Sequence, residues 1–225
     1  MKRLVIIAEG CTEEAFVKQM LVPHFSPLEI YISCGMLSPG KEASRAQKGG
    51  WGRTKREYAR IKNQLETWMK QDPAAYFTTM LDYYGLPTDF PGTTATRSHL
   101  PGNSNVLTIE NAFAQDIGSP QFVPYIQLYE FEALLFSDPD AFRAADPSIS
   151  PQQIEGLKKI LAAFHHNPEE INDSWQTCPS RRIEELIPRY AKNVDGPQIA
   201  EEIGLDSLRR HCAHFNAWIQ QLETL

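Results

Sequence analysis

The sequence predicts an α/β fold whose core is a mainly parallel sheet flanked by helices. Three short apolar runs, residues 4–8, 76–81 and 122–128, have the length and the β-branched and aromatic content of strands. The first run is continuously apolar, which is typical of a parallel strand covered on both faces. An acidic residue stands at or near the end of each run. We expect these runs and a strand near Ile30 to form one sheet.

The first strand leads into a turn and a helix that carry two candidate catalytic acids. Glu9 stands at the carboxyl end of the strand, where open parallel sheets bind ligands. Gly10 frees the backbone to turn, and Thr12 begins an amphipathic helix. Glu13 lies about one helical turn inside and faces the same opening. The helix dipole also favours a glutamate in a first turn, so Glu13 has a structural explanation beside the catalytic one.

The second and third strands also end in acids, and this recurrence predicts a metal site. Asp82 follows the run 76–81, and Glu130 follows the run 122–128. If parallel strands bring Glu9 and these acids to one edge, the carboxylates repel one another unless a divalent cation lies between them. No histidine or cysteine accompanies the acids. We therefore expect Mg²⁺ or Mn²⁺ and disfavour zinc.

One segment is strongly basic although the net charge of the chain is −6. Residues 41–62 hold eight lysines and arginines against two glutamates. The first half is glycine-rich and predicts a loop, and the second half begins a helix that runs to about Lys70. A solvated basic helix face explains this composition, and so does contact with nucleic-acid phosphates. On the second interpretation the nucleic-acid-binding residues are Lys48, Arg53, Lys55 and Arg56.

The chain divides into residues 1–137, the α/β domain, and residues 138–225, a helical C-terminal subdomain packed on it. Proline-containing breakers mark the change, and helical patterns follow. Arg181 and Arg182 stand at the start of one predicted helix, where the dipole disfavours cations. They either pair with neighbouring glutamates or, together with Lys192, bind a phosphate at the acidic edge.

Composition restricts the class of protein. With 225 residues, 42% of them hydrophobic, the chain can bury one substantial core. Its longest apolar runs are far shorter than the roughly 20 residues of a membrane span, and no secretory signal precedes the first strand. Four scattered cysteines fit neither a zinc cluster nor a disulfide framework, and we interpret them as free thiols. We expect a cytoplasmic protein that makes no contact with membranes.

Several motifs resemble a bacterial family of unknown function, DUF4276, which is considered related to Toprim domains. The motifs are Glu9-Gly10-x-x-Glu13, residues 82–87, 129–136 and 179–183, and Gly196-Pro197. The likeness extends over nearly the whole chain. It implies a Toprim-like or Rossmann-like sheet, in which a glutamate after the first strand and an acidic pair after a later strand hold Mg²⁺ for phosphoryl transfer.

The resemblance implies a role for each matching acid. Glu9 matches the glutamate after the first strand, and Glu13 matches the second acid of the nuclease branch. Asp82 matches the first aspartate of an Asp-x-Asp pair, but Tyr84 stands in place of the second. A standard metal site then needs a carboxylate from elsewhere. The alternatives are Glu130, Glu132 and Asp89.

The function expected from these features is that of a Mg²⁺-dependent nuclease or related phosphoryl-transfer enzyme. The resemblance to overcoming-lysogenization-type nucleases implies a partner ATPase in a bacterial defence or mobile-element system. The chain has no Gly-x-x-x-x-Gly-Lys-Ser/Thr loop, so nucleotide hydrolysis would come from that partner. The alternative, favoured by Tyr84, is a non-catalytic binding or regulatory subunit. A small-molecule phosphoesterase is a third interpretation.

Overall fold

A parallel sheet with helices on both faces forms the structure. The computed structural model describes residues 1–37, 57–93, 102–172 and 177–225. The architecture of these residues confirms the predicted α/β fold class. None of the helices in these ranges is both long enough and apolar enough to cross a membrane.

The sheet has the strand order β2-β1-β3-β4, and β5 also pairs with β3. The strands are β1 (Lys2–Ala8), β2 (Ile30–Met36), β3 (Tyr76–Asp82), β4 (Phe122–Val123) and β5 (Ile126–Gln127). Each of these pairings is parallel. In the register of the two central strands, Ala8 lies opposite Met80. The carboxyl ends of β1 and β3 therefore open at the same edge.

The third predicted strand, residues 122–128, is divided into β4 and β5. Pro124 lies between them and has no backbone N–H to give to a ladder. At the break, the Thr79 hydroxyl accepts a hydrogen bond from the Tyr125 backbone N–H (3.1 Å) and donates one to the Tyr125 carbonyl (3.0 Å). A side chain thus satisfies backbone groups that a continuous strand would have paired.

Helices follow the strands in chain order. Those before residue 137 are α1 (Cys11–Phe16), α2 (Val22–Phe25), α3 (Glu57–Gln71), α4 (Gly102–Ile117) and α5 (Glu132–Leu135). A π-helical turn, Val17–Leu21, joins α1 to α2. Those after residue 137 are α6 (Phe142–Ala145), α7 (Pro151–Ala163), α8 (Pro179–Leu186), α9 (Lys192–Ile203), α10 (Leu205–His211) and α11 (Ala213–Glu223).

Two hydrophobic cores cover the two faces of the sheet. Leu4 and Ile6 of β1 belong to a core that is completed by α1 and the C-terminal helices. Ile7, on the opposite face, belongs to a core with α3 and α4. Because neighbouring strand residues point to opposite faces, β1 is buried on both sides, as its continuous apolar run predicts. The domain boundary at residue 137 stays a prediction.

The last two helices, α10 and α11, meet at Cys212, whose backbone is extended. The carboxylate of Glu169 accepts hydrogen bonds from the backbone N–H groups of His214 and Phe215, each at 2.9 Å. It thereby satisfies donors that have no partner within the first turn of α11 and interacts favourably with the helix dipole. A new helix can therefore begin inside the protein.

A buried pair links α11 to α4. The Nε2 atom of His214 lies 3.0 Å from Oε1 of Glu110, and the two residues are only 7% and 8% exposed. Burial alone lowers the pKa of His214. The hydrogen bond to Glu110 and the charge of that carboxylate outweigh burial, so the pKa of His214 is raised above its usual value.

We expect the free energy of unfolding to fall as the pH rises through the raised pKa of His214. The contribution of His214 is complete below the unfolded-state pKa of about 6.5 and is lost above it, as the folded-state pKa is passed. His214→Phe can keep the stacking on Tyr125 but cannot bind a proton. In thermal unfolding between about pH 6 and 9 it should show a flatter profile than wild type, with a loss of about 1–3 kcal/mol at the acidic end.

The exposed His211 offers a matched control, because His211→Phe should leave the wild-type profile unchanged. A His214→Phe profile as steep as that of wild type would show that this pair does not set the pH dependence.

Candidate active site at the sheet edge

Hydrogen bonds of Glu9 join the end of β1 to the end of β3. Its backbone N–H donates a hydrogen bond to the Met80 carbonyl (3.0 Å). Its side-chain Oε2 accepts a hydrogen bond from the backbone N–H of Asp82 (2.7 Å). Because Asp82 ends β3, the register of the sheet brings these two candidate acids to one edge.

A 3₁₀ turn, Tyr83–Gly85, lies against the carboxylate of Glu9. A Cβ atom on Gly85 would stand 2.5 Å from Oε1 and 2.7 Å from Oε2 of Glu9. These distances are far below van der Waals contact, so a side chain at this position would have to displace the Glu9 carboxylate from its hydrogen bond to the Asp82 N–H. Sequence reasoning assigned no role to Gly85. The available signal was a glycine three positions after an acid that ends a strand.

Glu13 is buried, with 3% of its surface exposed, although it lies in the first turn of α1. Its Oε2 accepts a hydrogen bond from the Gly10 backbone N–H (2.9 Å), as in a capping box. Its charge acts on Glu9 and raises the pKa of that residue. The structural explanation of Glu13 therefore applies, and its catalytic role stays a prediction.

Glu130 reaches the edge through an unusual turn. Its backbone N–H donates to the Leu128 carbonyl (2.9 Å), and Tyr129 between them has φ +63°, which forms a γ-turn of the rare type. Such backbone conformations are uncommon outside glycine and cluster at functional sites. The Oε2 atom of Glu130 accepts a hydrogen bond from the Ser180 backbone N–H at the start of α8 (3.0 Å).

Asp82 and Glu132 share a lysine from the C-terminal half of the chain. Oδ1 of Asp82 accepts a hydrogen bond from the Phe131 N–H (2.9 Å), and Oδ2 lies 3.6 Å from Nζ of Lys192. The same Nζ lies 2.8 Å from Oε2 of Glu132, which is fully buried. The Tyr190 hydroxyl donates to the other oxygen of Glu132 (3.4 Å). Lys192, which begins α9, thus lies inside the acidic edge.

The pKa values of these groups reflect crowded negative charge. Burial and then the charge of Glu13 raise the pKa of Glu9 to about 7. Burial also raises the pKa values of Asp82 and Glu132, although Lys192 opposes the rise in both. Burial alone lowers the pKa of Lys192, but the surrounding carboxylates, Glu132 first, raise it above its usual value. Lys192 is therefore a fixed positive charge, and the acids around it are hard to ionise together.

Tyr84, which stands where the Asp-x-Asp pattern has its second aspartate, stabilises the 3₁₀ turn. Its hydroxyl donates to the side chain of Asn172, and its backbone N–H donates to the Tyr129 carbonyl (3.1 Å). Burial raises the pKa of Tyr84, so the phenol is neutral near pH 7. It adds no anionic ligand to the edge.

The predicted phosphate-binding residues differ in their surroundings. Lys192 lies among the edge acids. Arg182 donates through Nε to the Thr177 carbonyl (2.6 Å), and its guanidinium lies 5.1 Å from the centre of the Phe164 ring. Arg181 is exposed on α8. Phosphate contact by the two arginines stays a prediction, and Arg182 has a packing role.

The predicted nucleic-acid-binding residues, Lys48, Arg53, Lys55 and Arg56, lie outside the described residues. The described end of the basic segment is the start of α3. There Lys62 pairs with Asp116 at 2.9 Å, which is a structural use of one cation. Nucleic-acid contact by this segment stays a prediction.

The edge acids fit a divalent cation in the chemistry of their donors. Carboxylate oxygens are the ligands that Mg²⁺ and Mn²⁺ prefer. Glu9, Glu13 and Glu130 each have one carboxylate oxygen oriented by a backbone N–H. As the described side chains stand, no three His, Cys, Asp or Glu residues have the spacing of a formed metal site. A cation would have to draw the acids together.

One family model matches the chain over nearly its whole length. The family model described as Domain of unknown function (DUF4276) matches residues 8–223. Among solved structures, the C-terminal region of the OLD protein of Xanthomonas campestris pv. campestris is similar, at 13% sequence identity and a TM-score of 0.38, with 98% of each chain covered. No curated protein matches the chain.

We expect Gly85→Ala to destabilise the fold by about 1–3 kcal/mol, because the added methyl group overlaps the Glu9 carboxylate. A double-mutant cycle with Glu9→Ala, followed by denaturant unfolding, measures this coupling. Once the carboxylate is removed, the same substitution should cost less than about 0.5 kcal/mol. Equal costs in both backgrounds would mean that contact with Glu9 is not what requires glycine at this position.

We expect Glu9→Gln to gain stability relative to wild type as the pH rises. The pKa of Glu9 is about 7 in the folded protein against 4.5 for the free group, so folding takes up a proton between these values. Wild type therefore loses stability as the pH rises through this window. Glutamine has no charge to desolvate and keeps an acceptor for the Asp82 N–H.

The measurement is the melting temperature of wild type and Glu9→Gln in the presence of a chelator, from about pH 5 to 8. The melting temperature of Glu9→Gln should rise relative to that of wild type as the pH increases. Glu14→Gln, the neighbouring glutamate of the same turn, should show no such trend. A difference that stays constant with pH would contradict the raised pKa of Glu9.

Proposed function

The chain belongs to the DUF4276 family, and from its acidic sheet edge we propose that it is a Mg²⁺-dependent nuclease or a related phosphoryl-transfer enzyme. One observation carries the proposal: five carboxylates lie at or just after the carboxyl ends of neighbouring strands, and a lysine pairs with two of them, Asp82 and Glu132. The five carboxylates are those of Glu9, Glu13, Asp82, Glu130 and Glu132. The resemblance of the first three to the acids of Toprim-type nucleases supports the same reaction class.

The proposed roles follow from how each side chain is held. Glu9, Asp82 and Glu130 would hold Mg²⁺ or Mn²⁺. The metal, when bound, neutralises charge on the phosphoryl group and makes a bound water more acidic. Glu13, oriented by its bond to the Gly10 N–H, positions the attacking water. Lys192 and the positive end of the α9 dipole stabilise charge on the phosphoryl oxygens.

The proposed substrate is a nucleic acid. The basic segment, residues 41–62, supplies cations for a phosphate backbone, whose contacts are sequence-independent and salt-sensitive. A partner ATPase in a bacterial defence or mobile-element system, and action in the cytoplasm, are proposed from the Toprim resemblance and from composition.

A second candidate function is a non-catalytic binding or regulatory subunit that keeps a Toprim-derived scaffold. Tyr84 favours this alternative, because the tyrosine stabilises the turn where the nuclease pattern has a carboxylate. The described residues contain no preformed group of three His, Cys, Asp or Glu side chains that could hold a metal, which favours it as well. On this alternative, substitution of the acids leaves function intact.

We expect Glu9→Gln and Asp82→Asn each to reduce metal-dependent cleavage at least about 100-fold, because each removes a charged ligand without changing side-chain size. The assay uses the full chain with Mg²⁺ or Mn²⁺ on plasmid DNA, single-stranded DNA, RNA and bis(p-nitrophenyl) phosphate, and circular dichroism checks folding. Glu14→Gln, a glutamate paired with Lys18 on the same helix, should cleave like wild type. Cleavage by Glu9→Gln at the wild-type rate would contradict the proposal.

A further inference from the structure

Within the described ranges, Lys192 is the cation that acts on the crowded acids. Its charge lowers the pKa values of Glu9, Asp82 and Glu132, and its Nζ contacts two of these carboxylates. An ammonium at this position reduces the repulsion among the carboxylates, as a divalent cation would. It offsets repulsion that desolvation makes expensive.

We propose that Lys192 is a built-in counter-cation that competes with the divalent metal for Asp82. In the metal-free protein it neutralises the edge, and metal binding takes Asp82 away from it. This inference rests on the proposed function, because it concerns the affinity of that same site for its metal. It makes Lys192 the residue that sets how tightly the cation binds.

The two contacts of Lys192 are unequal, and the inequality shows which acid is exchanged. Nζ lies 2.8 Å from Glu132, a hydrogen-bonded ion pair, but 3.6 Å from Asp82, which is beyond hydrogen-bond distance. Glu132 is also held by the Tyr190 hydroxyl. Glu132 is therefore the anchor of the lysine and not a metal ligand, whereas Asp82 can leave Lys192 without releasing it from the site.

Local backbone bonds fix this lysine at the start of α9. The Asp195 carboxylate accepts a hydrogen bond from the Ala191 N–H (2.7 Å). The hydroxyl of Thr12 on α1 donates to the side chain of Asn193 (2.9 Å). The residues before and after Lys192 are thus held by hydrogen bonds, which keep the backbone of Lys192 beside the acids.

The test is calorimetric titration of Mn²⁺ into the full-length wild type, Lys192→Met and Lys18→Met. Lys18→Met is the matched control, because it removes the same charge from a lysine that is also paired with a glutamate. Lys192→Met should bind Mn²⁺ at least about tenfold more tightly than wild type. Lys18→Met should stay within about twofold of wild type. If Lys192→Met does not fold, Lys192→Gln, which can still donate to Glu132, takes its place.

The outcomes separate this inference from the proposed function. Equal or weaker Mn²⁺ binding by the Lys192 variant overturns the competition and leaves the metal-dependent enzyme standing. Binding by the variant but not by wild type supports the competition and contradicts the metal-dependent enzyme. Absence of binding to both proteins overturns both. An equal gain in Mn²⁺ affinity in Lys18→Met would show that loss of any positive charge has this effect, and it would overturn a specific role of Lys192.

Discussion

The repulsion among carboxylates at one sheet edge is the constraint on which the rest of the site depends. A parallel sheet delivers acids to the same edge because all its strands end there. Buried carboxylates are tolerated only when each is hydrogen-bonded or paired. Here backbone N–H groups bind Glu9, Glu13, Asp82 and Glu130, and an ammonium binds Glu132. Backbone donors are fixed by the fold, so they hold the acids without further ordering of side chains.

The C-terminal helices complete this edge as well as covering the sheet. The start of α8 gives an N–H to Glu130, and the start of α9 gives Lys192 to Glu132. Gly196 of α9 allows close packing, because a Cβ there would lie 3.2 Å from the Tyr190 hydroxyl. A change in the packing of α9 on α1 would therefore alter the electrostatics of the acids. The electrostatics of the sheet edge therefore depends on the C-terminal helices as well as on the strands.

The sequence predicts what is local and misses what depends on tertiary contacts. A strand-end acid is visible because the apolar run and the acid are adjacent, and so Glu9 and Asp82 could be placed at one edge. The donor to Glu130 comes from Ser180, 50 residues later, and its identity depends on how α8 packs. The break at Pro124 carried a local signal, since proline cannot join a ladder. The break at Cys212 carried no local signal, because the carboxylate of Glu169 that caps α11 lies more than 40 residues earlier.

Anomalous diffraction from crystals grown with Mn²⁺ tests whether this sheet edge binds a divalent cation. We expect an anomalous peak at the sheet edge within coordination distance of Glu9, Asp82 and Glu130, with Lys192 retained on Glu132. A wild-type crystal saturated with Mn²⁺ that shows no peak there, with the acids in their metal-free arrangement, would contradict this expectation.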